Sequence, residues 1–155
     1  NEKANIWGIE LNNNFIFTDS ENGKVSLINS ASYLEGENEE TDQPLSGIDP
    51  FKLVTGLRYD APNDKFNTEL VATYLGKAKL PDSDTFFNPS AVTVFDLIGN
   101  YIVNDDLTVD LGVYNIADKR HYKYQNTRSV RNTASGIERF SEPGRSFKAG
   151  FKFRF

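Results

Sequence analysis

Apolar and polar residues alternate with a period of two along nearly the whole chain, and this limits the fold more than any other feature. Trp7, Ile9, Leu11, Phe15 and Phe17 hold odd positions, interrupted only by Asn13, with Glu10, Asn12 and Asn14 between them. The pattern recurs over 25–33, 51–59, 66–74, 95–103, 107–113 and 147–155. A strand puts successive side chains on opposite faces, so each segment presents one apolar and one polar face. Seven strands are predicted in this way, and no helical stretch of comparable quality competes with them.

The connections alternate in length. Asp19–Lys24 with its Asn22-Gly23 pair, Ala61–Lys65 with Pro62-Asn63-Asp64, and Asn104–Asp106 have the residues and brevity of hairpin turns. Between them lie long polar segments, Glu35–Pro50, Lys77–Ser90 and Ala117–Gly144. Short and long connections in strict alternation are the pattern of an antiparallel up-and-down β-barrel of the bacterial outer membrane, with tight periplasmic turns and extended outer loops.

The aromatics fall at the ends of the strands. If the long loops lie outside, the outer ends carry Trp7, Tyr33, Phe51, Tyr74, Phe95 and Phe147. The inner ends carry Phe15, Phe17, Tyr59, Phe66, Tyr101, Phe153 and Phe155. Phe51 to Tyr59 and Phe66 to Tyr74 each span eight residues. At ~3.3 Å per residue and a tilt of ~40°, that is roughly 20 Å of height, against about 25 Å for the apolar band of such a barrel. A lipid-facing wall bounded by two aromatic girdles accounts for a chain that is 13 % aromatic yet has a mean hydropathy of −0.51.

Composition removes several classes of function. The 155 residues carry a net charge of −5, which disfavours a nucleic-acid partner because phosphates call for a basic excess. There is no Cys, hence no disulfide framework, thiol nucleophile or CxxC site. No apolar run reaches the length of a transmembrane helix, which says nothing against a membrane barrel. Phosphate-binding, metalloprotease and nucleophile-elbow signatures are missing, and no enzyme is expected. The odd number of strands, and a polar face crowded with Glu10, Lys52, Arg58, Asp60, Glu69, Asp96, Asp110, Lys148 and Lys152, suit part of a wide barrel rather than a small side-chain-filled one. The chain also opens at Asn1 directly in a strand-like stretch, without Met or a signal peptide.

Charge is uneven among the long loops. Glu35–Pro50 holds six acids and no base, whereas Lys119–Arg145 holds seven bases against Glu138 and Glu142. The basic loop could draw in an anionic ligand or contact lipopolysaccharide phosphates, and the acidic loop could hold Ca²⁺. Solvated loops pairing with each other are the plainer reading of both. The cluster His121-Tyr122-Lys123-Tyr124 follows the sixth strand, and imidazole and phenolate are both axial ligands of haem iron. A lone His near a membrane rim is more often a surface or stacking residue. The ligand-contact candidates are therefore His121, Tyr122, Tyr124, Arg120, Arg128 and Arg131, with no catalytic residue and no resident metal site expected.

The stretch Leu111-Gly112-Val113-Tyr114-Asn115-Ile116-Ala117-Asp118-Lys119, continued by Tyr122, resembles a signature of TonB-dependent outer-membrane receptors. Pro143-Gly144-Arg145-Ser146-Phe147 resembles their entry to the final strand, Val94-Phe95-Asp96-Leu97 an earlier one, and the chain ends on Phe155 as such barrels end on an aromatic. The wording from Tyr114 to Tyr124, with Arg139-Phe140 ahead of Pro143, looks most like the haem and haemoglobin branch. The resemblance implies a 22-stranded transporter barrel with a plugged lumen, residues 1–155 being its C-terminal portion and the plug and earlier strands lying outside this sequence. It implies outer-membrane lipid and lipopolysaccharide, the plug, TonB and a haem or haemoprotein ligand as partners, with haem as cargo rather than cofactor. The plug, the TonB box and the FRAP and NPNL motifs of haem receptors do not occur in this sequence. A ferric-siderophore receptor, a complete eight-stranded outer-membrane barrel and a soluble all-β binding module are the rival readings.

Overall fold

Two residues, Glu21 and Asn22, close the first hairpin. β1 runs Ala4–Ser20 and β2 begins at Gly23 and ends at Asn38. Gly23 has φ 106°, and a Cβ there would lie 2.5 Å from the Asp60 carbonyl oxygen, so both the turn and the neighbouring strand require glycine. β3 (Gln43–Pro44) folds back on the outer end of β2, and is followed by β4 (Lys52–Asp60) and β5 (Phe66–Leu75). β6 (Val92–Asn104), β7 (Leu107–Tyr114) and β8 (Ser146–Phe153) complete the sheet. These elements come from a computed structural model that describes residues 3–81 and 85–154. Asn1 and Glu2, where the first strand was expected to begin, and the terminal aromatic Phe155 lie outside those residues.

The sheet is antiparallel throughout, in the order β1-β2-β4-β5-β6-β7-β8, with β3 paired only to β2. Its seven long strands are those predicted from the alternation. The wall is open: β1 and β8 stand at opposite ends of the order and do not pair with each other. This is not the closed eight-stranded barrel of the rival reading.

The register puts all the apolar rows on one face. Directly opposed residues share a face, and Leu11 meets Ala31, Ala31 meets Leu53, Leu27 meets Leu57, and Leu57 meets Leu70. The row continues through Leu97 and Val113 to Phe147. On this face Ile9 is 63 % and Phe151 66 % exposed, the reverse of a water-soluble fold. The girdles form as cross-strand ring pairs. At the long-loop end Trp7 lies 5.5 Å from Tyr33, and Phe51 6.0 Å from Tyr74, centroid to centroid. At the short-turn end Tyr59 lies 6.4 Å from Phe66.

Two features escape the alternation. Register shifts at Ile16/Thr18 and Ile102/Asn104 insert an extra residue beside the first and third short turns. Such bulges tighten the local twist and re-aim side chains at a sheet's rim. The second concerns Glu35–Pro50, expected as loop throughout. β2 continues to Asn38, and Asn38 Oδ1 accepts from the Glu40 and Thr41 N–H groups to turn the chain back into β3. Beyond the girdle a strand has water on both faces, so its residues need no apolar period.

Leu70 lies midway between the girdle residues of β5 and points to the apolar face. Leu70→Arg in the full-length protein is expected to cost about 2–4 kcal/mol. Val71→Arg, one position along on the polar face, should cost much less. Denaturant unfolding from lipid vesicles measures both.

Candidate functional site

The last long connection is anchored by a single buried side chain. Asn115 is 4 % exposed and takes φ 51°, a left-handed conformation that Asn tolerates better than most residues. Its N–H donates to Asp96 Oδ1 at 2.7 Å. Its Nδ2 donates to the carbonyls of Lys119 at 2.9 Å and Pro143 at 3.1 Å, while Oδ1 accepts from the Lys119 N–H at 2.9 Å. Asp118, also left-handed at φ 50°, accepts from the Arg145 N–H at 2.7 Å. The first limb is thus tied to β6 and the two limbs to each other, and the stretch that resembled a family signature is a clasp.

The clasp directs the loop inward. Residues 121–125 fold over the polar face of the sheet and cover a cleft of about 460 Å³. Its floor is made by inner-face residues that include Lys52, Asp96, Tyr114 and Lys148, and its roof by His121, Lys123 and Glu142. His121 Nδ1 lies 3.1 Å from the Lys119 carbonyl, the one that also accepts from Asn115. A carbonyl only accepts, so Nδ1 carries the hydrogen, and Nε2 has no hydrogen-bond partner among the described residues. Metal-binding imidazoles are oriented by the same kind of contact. Lys123 is neutralised by Glu142 at 2.8 Å, and Glu142 also accepts from Asn126.

The other candidates divide. Tyr122 packs edge-on against Phe87, with centroids 5.1 Å apart, and Tyr124 is buried with its hydroxyl accepting from the Gly47 N–H at 3.1 Å. Tyr124 begins the short helix α1 (Tyr124–Thr127), which ends in the fully buried Thr127. Arg131 bridges to Phe86 of the second loop, the Phe87 N–H donating to the Val130 carbonyl at 2.8 Å. Arg128 lines a second cavity, of about 440 Å³, with Leu80, Phe86 and Tyr124. Arg120 is exposed. Of the six, only His121 reaches the inner cleft; Tyr122, Tyr124 and Arg131 join loop to loop.

Lys52, Asp96 and Lys148 were predicted only as polar-face residues, and Tyr114 only within the signature stretch, none of them as part of a site. Their even positions mark the face, but not the loop that folds onto them. The acids of Glu35–Pro50 do not gather: among the described residues no group of three or more His, Cys, Asp or Glu is placed to hold a metal. Glu35 pairs instead with Lys79 of the second loop and accepts from the Tyr33 hydroxyl at 3.0 Å. The Lys79 ammonium is held above the ordinary lysine range, first by Glu35 and then by Tyr33.

An open wall with an apolar outer face, two aromatic girdles and a polar, loop-capped inner face is a segment of an outer-membrane β-barrel. A family model described as TonB dependent receptor-like, beta-barrel, matches residues 1–116. The chain belongs to that family, whose members are transport receptors and not enzymes, and its place is the bacterial outer membrane.

It is 29 % identical over 150 residues to the hemoglobin-haptoglobin utilization protein B of Neisseria meningitidis serogroup C, covering 81 % of this chain and 18 % of that protein. It is 26 % identical over 188 residues to the hemoglobin-binding protein A of Haemophilus influenzae, covering 99 % of this chain and 18 % of that protein. The chain therefore spans under a fifth of these relatives. Among solved structures the copper transporter OprC superposes with a TM-score of 0.81 at 25 % identity, over all of this chain and 24 % of that one. The soluble-module reading falls with these matches.

Asn115→Ala is expected to cost about 1–3 kcal/mol, because it orphans buried backbone groups. It should make residues 117–144 more rapidly cleaved by protease. Asn115→Gly relieves the backbone but restores no side-chain bond, so the loop should stay labile in that variant too.

Proposed function

We propose that this chain is the C-terminal wall and part of the outer mouth of a 22-stranded receptor that takes up haem, free or from haemoproteins. The plug and the remaining strands would lie elsewhere in the same protein, with TonB acting on the plug side. What carries the reading is His121, oriented through Nδ1 with Nε2 free, over a cleft on the inner face. The relatives named for haemoglobin binding support the same cargo. Imidazole is an axial ligand of haem iron, and His121 is assigned that contact. Tyr122, Tyr124 and Arg131 shape the mouth, while Arg120 and Arg128 remain free to meet anionic groups of ligand or lipopolysaccharide.

The test uses the full-length receptor in a haem-requiring strain without its own haem receptor. Growth on haemoglobin as sole haem source should appear and should depend on TonB. His121→Ala should shift the Soret band of the haem-loaded receptor and weaken haem affinity by at least about 10–100-fold, the cost of losing even an outer-shell partner of a metal ligand. An unaltered spectrum and affinity would remove His121 from the site. Uptake of a ferric siderophore in place of haem would establish the rival cargo.

A further inference from the structure

On the inner wall a cation is held against the face of a ring. Lys148, on β8, places its ammonium 4.6 Å from the centroid of the Tyr114 ring on β7. Gly112 makes this possible, because a Cβ there would lie 2.7 Å from Tyr114 Cε2, so the ring lies down in the space a side chain would fill. The nearby acids each take a hydrogen bond or ion pair from another group. Asp96 accepts from the Asn115 N–H, Glu142 pairs with Lys123, and Asp110 accepts from Asn100 at 2.7 Å. Among the described residues Lys148 forms no ion pair.

Tyr114 and Lys148 also stand where two cavities meet. Both line the cleft under His121, and both line a recess of about 380 Å³ farther along the inner face, whose floor includes Gly112 and Gly150. A cation held by a ring face keeps its remaining N–H donors free for an acceptor oxygen.

We infer that Lys148, held by Tyr114 over Gly112, is a carboxylate-recognition residue of the inner wall, binding an anionic arm of a ligand whose centre is met by His121. This rests on the haem reading, since haem carries two carboxylates and a planar ring for the Tyr114 side of the cleft. A neutral ligand of the same shape gains nothing from Lys148.

The experiment compares haem with haem dimethyl ester, which keeps the ring and iron but loses both charges, on the full-length receptor. Lys148→Gln should weaken haem binding about tenfold, the value of one charge-assisted hydrogen bond. Affinity for the diester and the Soret position should be unchanged. Lys148→Arg, which keeps the charge and the ring contact, should recover most of the loss. An equal loss for haem and diester, or no loss for either, overturns the assignment while leaving the haem reading standing. Failure of the unsubstituted receptor to bind either form overturns both.

Discussion

Backbone pairing in hydrocarbon is the constraint on which everything else here depends. With no water to satisfy them, N–H and C=O groups crossing a bilayer must bond within the protein. The antiparallel ladder does this from β1 to β8 without a break in strand order. The same ladder fixes the side-chain faces, since a slip of one residue would turn a strand's apolar row inward. Leu57, Leu70 and Leu97 share the outer face because each pairs directly with the next. The two ends of the order, β1 and β8, are then edges that only further strands can satisfy in lipid. The case for a larger barrel is thus a hydrogen-bonding argument before it is a matter of family.

Legibility in the sequence follows how local each determinant is. Alternation along Phe51–Tyr59 or Phe66–Tyr74 is a property of neighbouring residues, and so are the Asn22-Gly23 and Pro62-Asn63-Asp64 turns. The strands, turns and girdles were all readable from them. The outer end of β2 was not, because Glu35 and Glu37 lie beyond the girdle, where nothing imposes an apolar period. The bulges at Phe17 and Val103 carry no compositional mark. Tyr124 looked like a ligand residue because it adjoins His121. Its burial depends on Gly47, 77 residues away, and no local pattern records that contact. Lys148 was visible as an inner-face charge, but its seat on the Tyr114 ring depends on the space that Gly112 leaves.

The superposition on a copper transporter and the sequence relation to haemoglobin-binding proteins concern the same wall. A wall that serves more than one cargo cannot select among them by its lipid face or its ladder. The fold therefore does not itself define a cargo. In this chain the loops do not act separately. The second and third share main-chain hydrogen bonds at Phe87 and Val130, and the first joins the third through Gly47 and Tyr124. The mouth is therefore a connected cap, stiffer than three loops tethered only at their ends.

The stiffness reaches the proposed ligand contact through one atom. The Lys119 carbonyl oxygen accepts from both Asn115 Nδ2 and His121 Nδ1. Asn115 in turn donates its N–H to Asp96, whose carboxylate belongs to β6 and faces the interior. The imidazole is thus oriented by a chain of three hydrogen bonds that starts in the membrane wall, not by the loop's own packing. Such a chain holds the ring plane steady while leaving Nε2 free, which a flexible surface histidine cannot do. It also ties the site to the wall, since Asp96 belongs to β6 and Asn115 follows directly on β7.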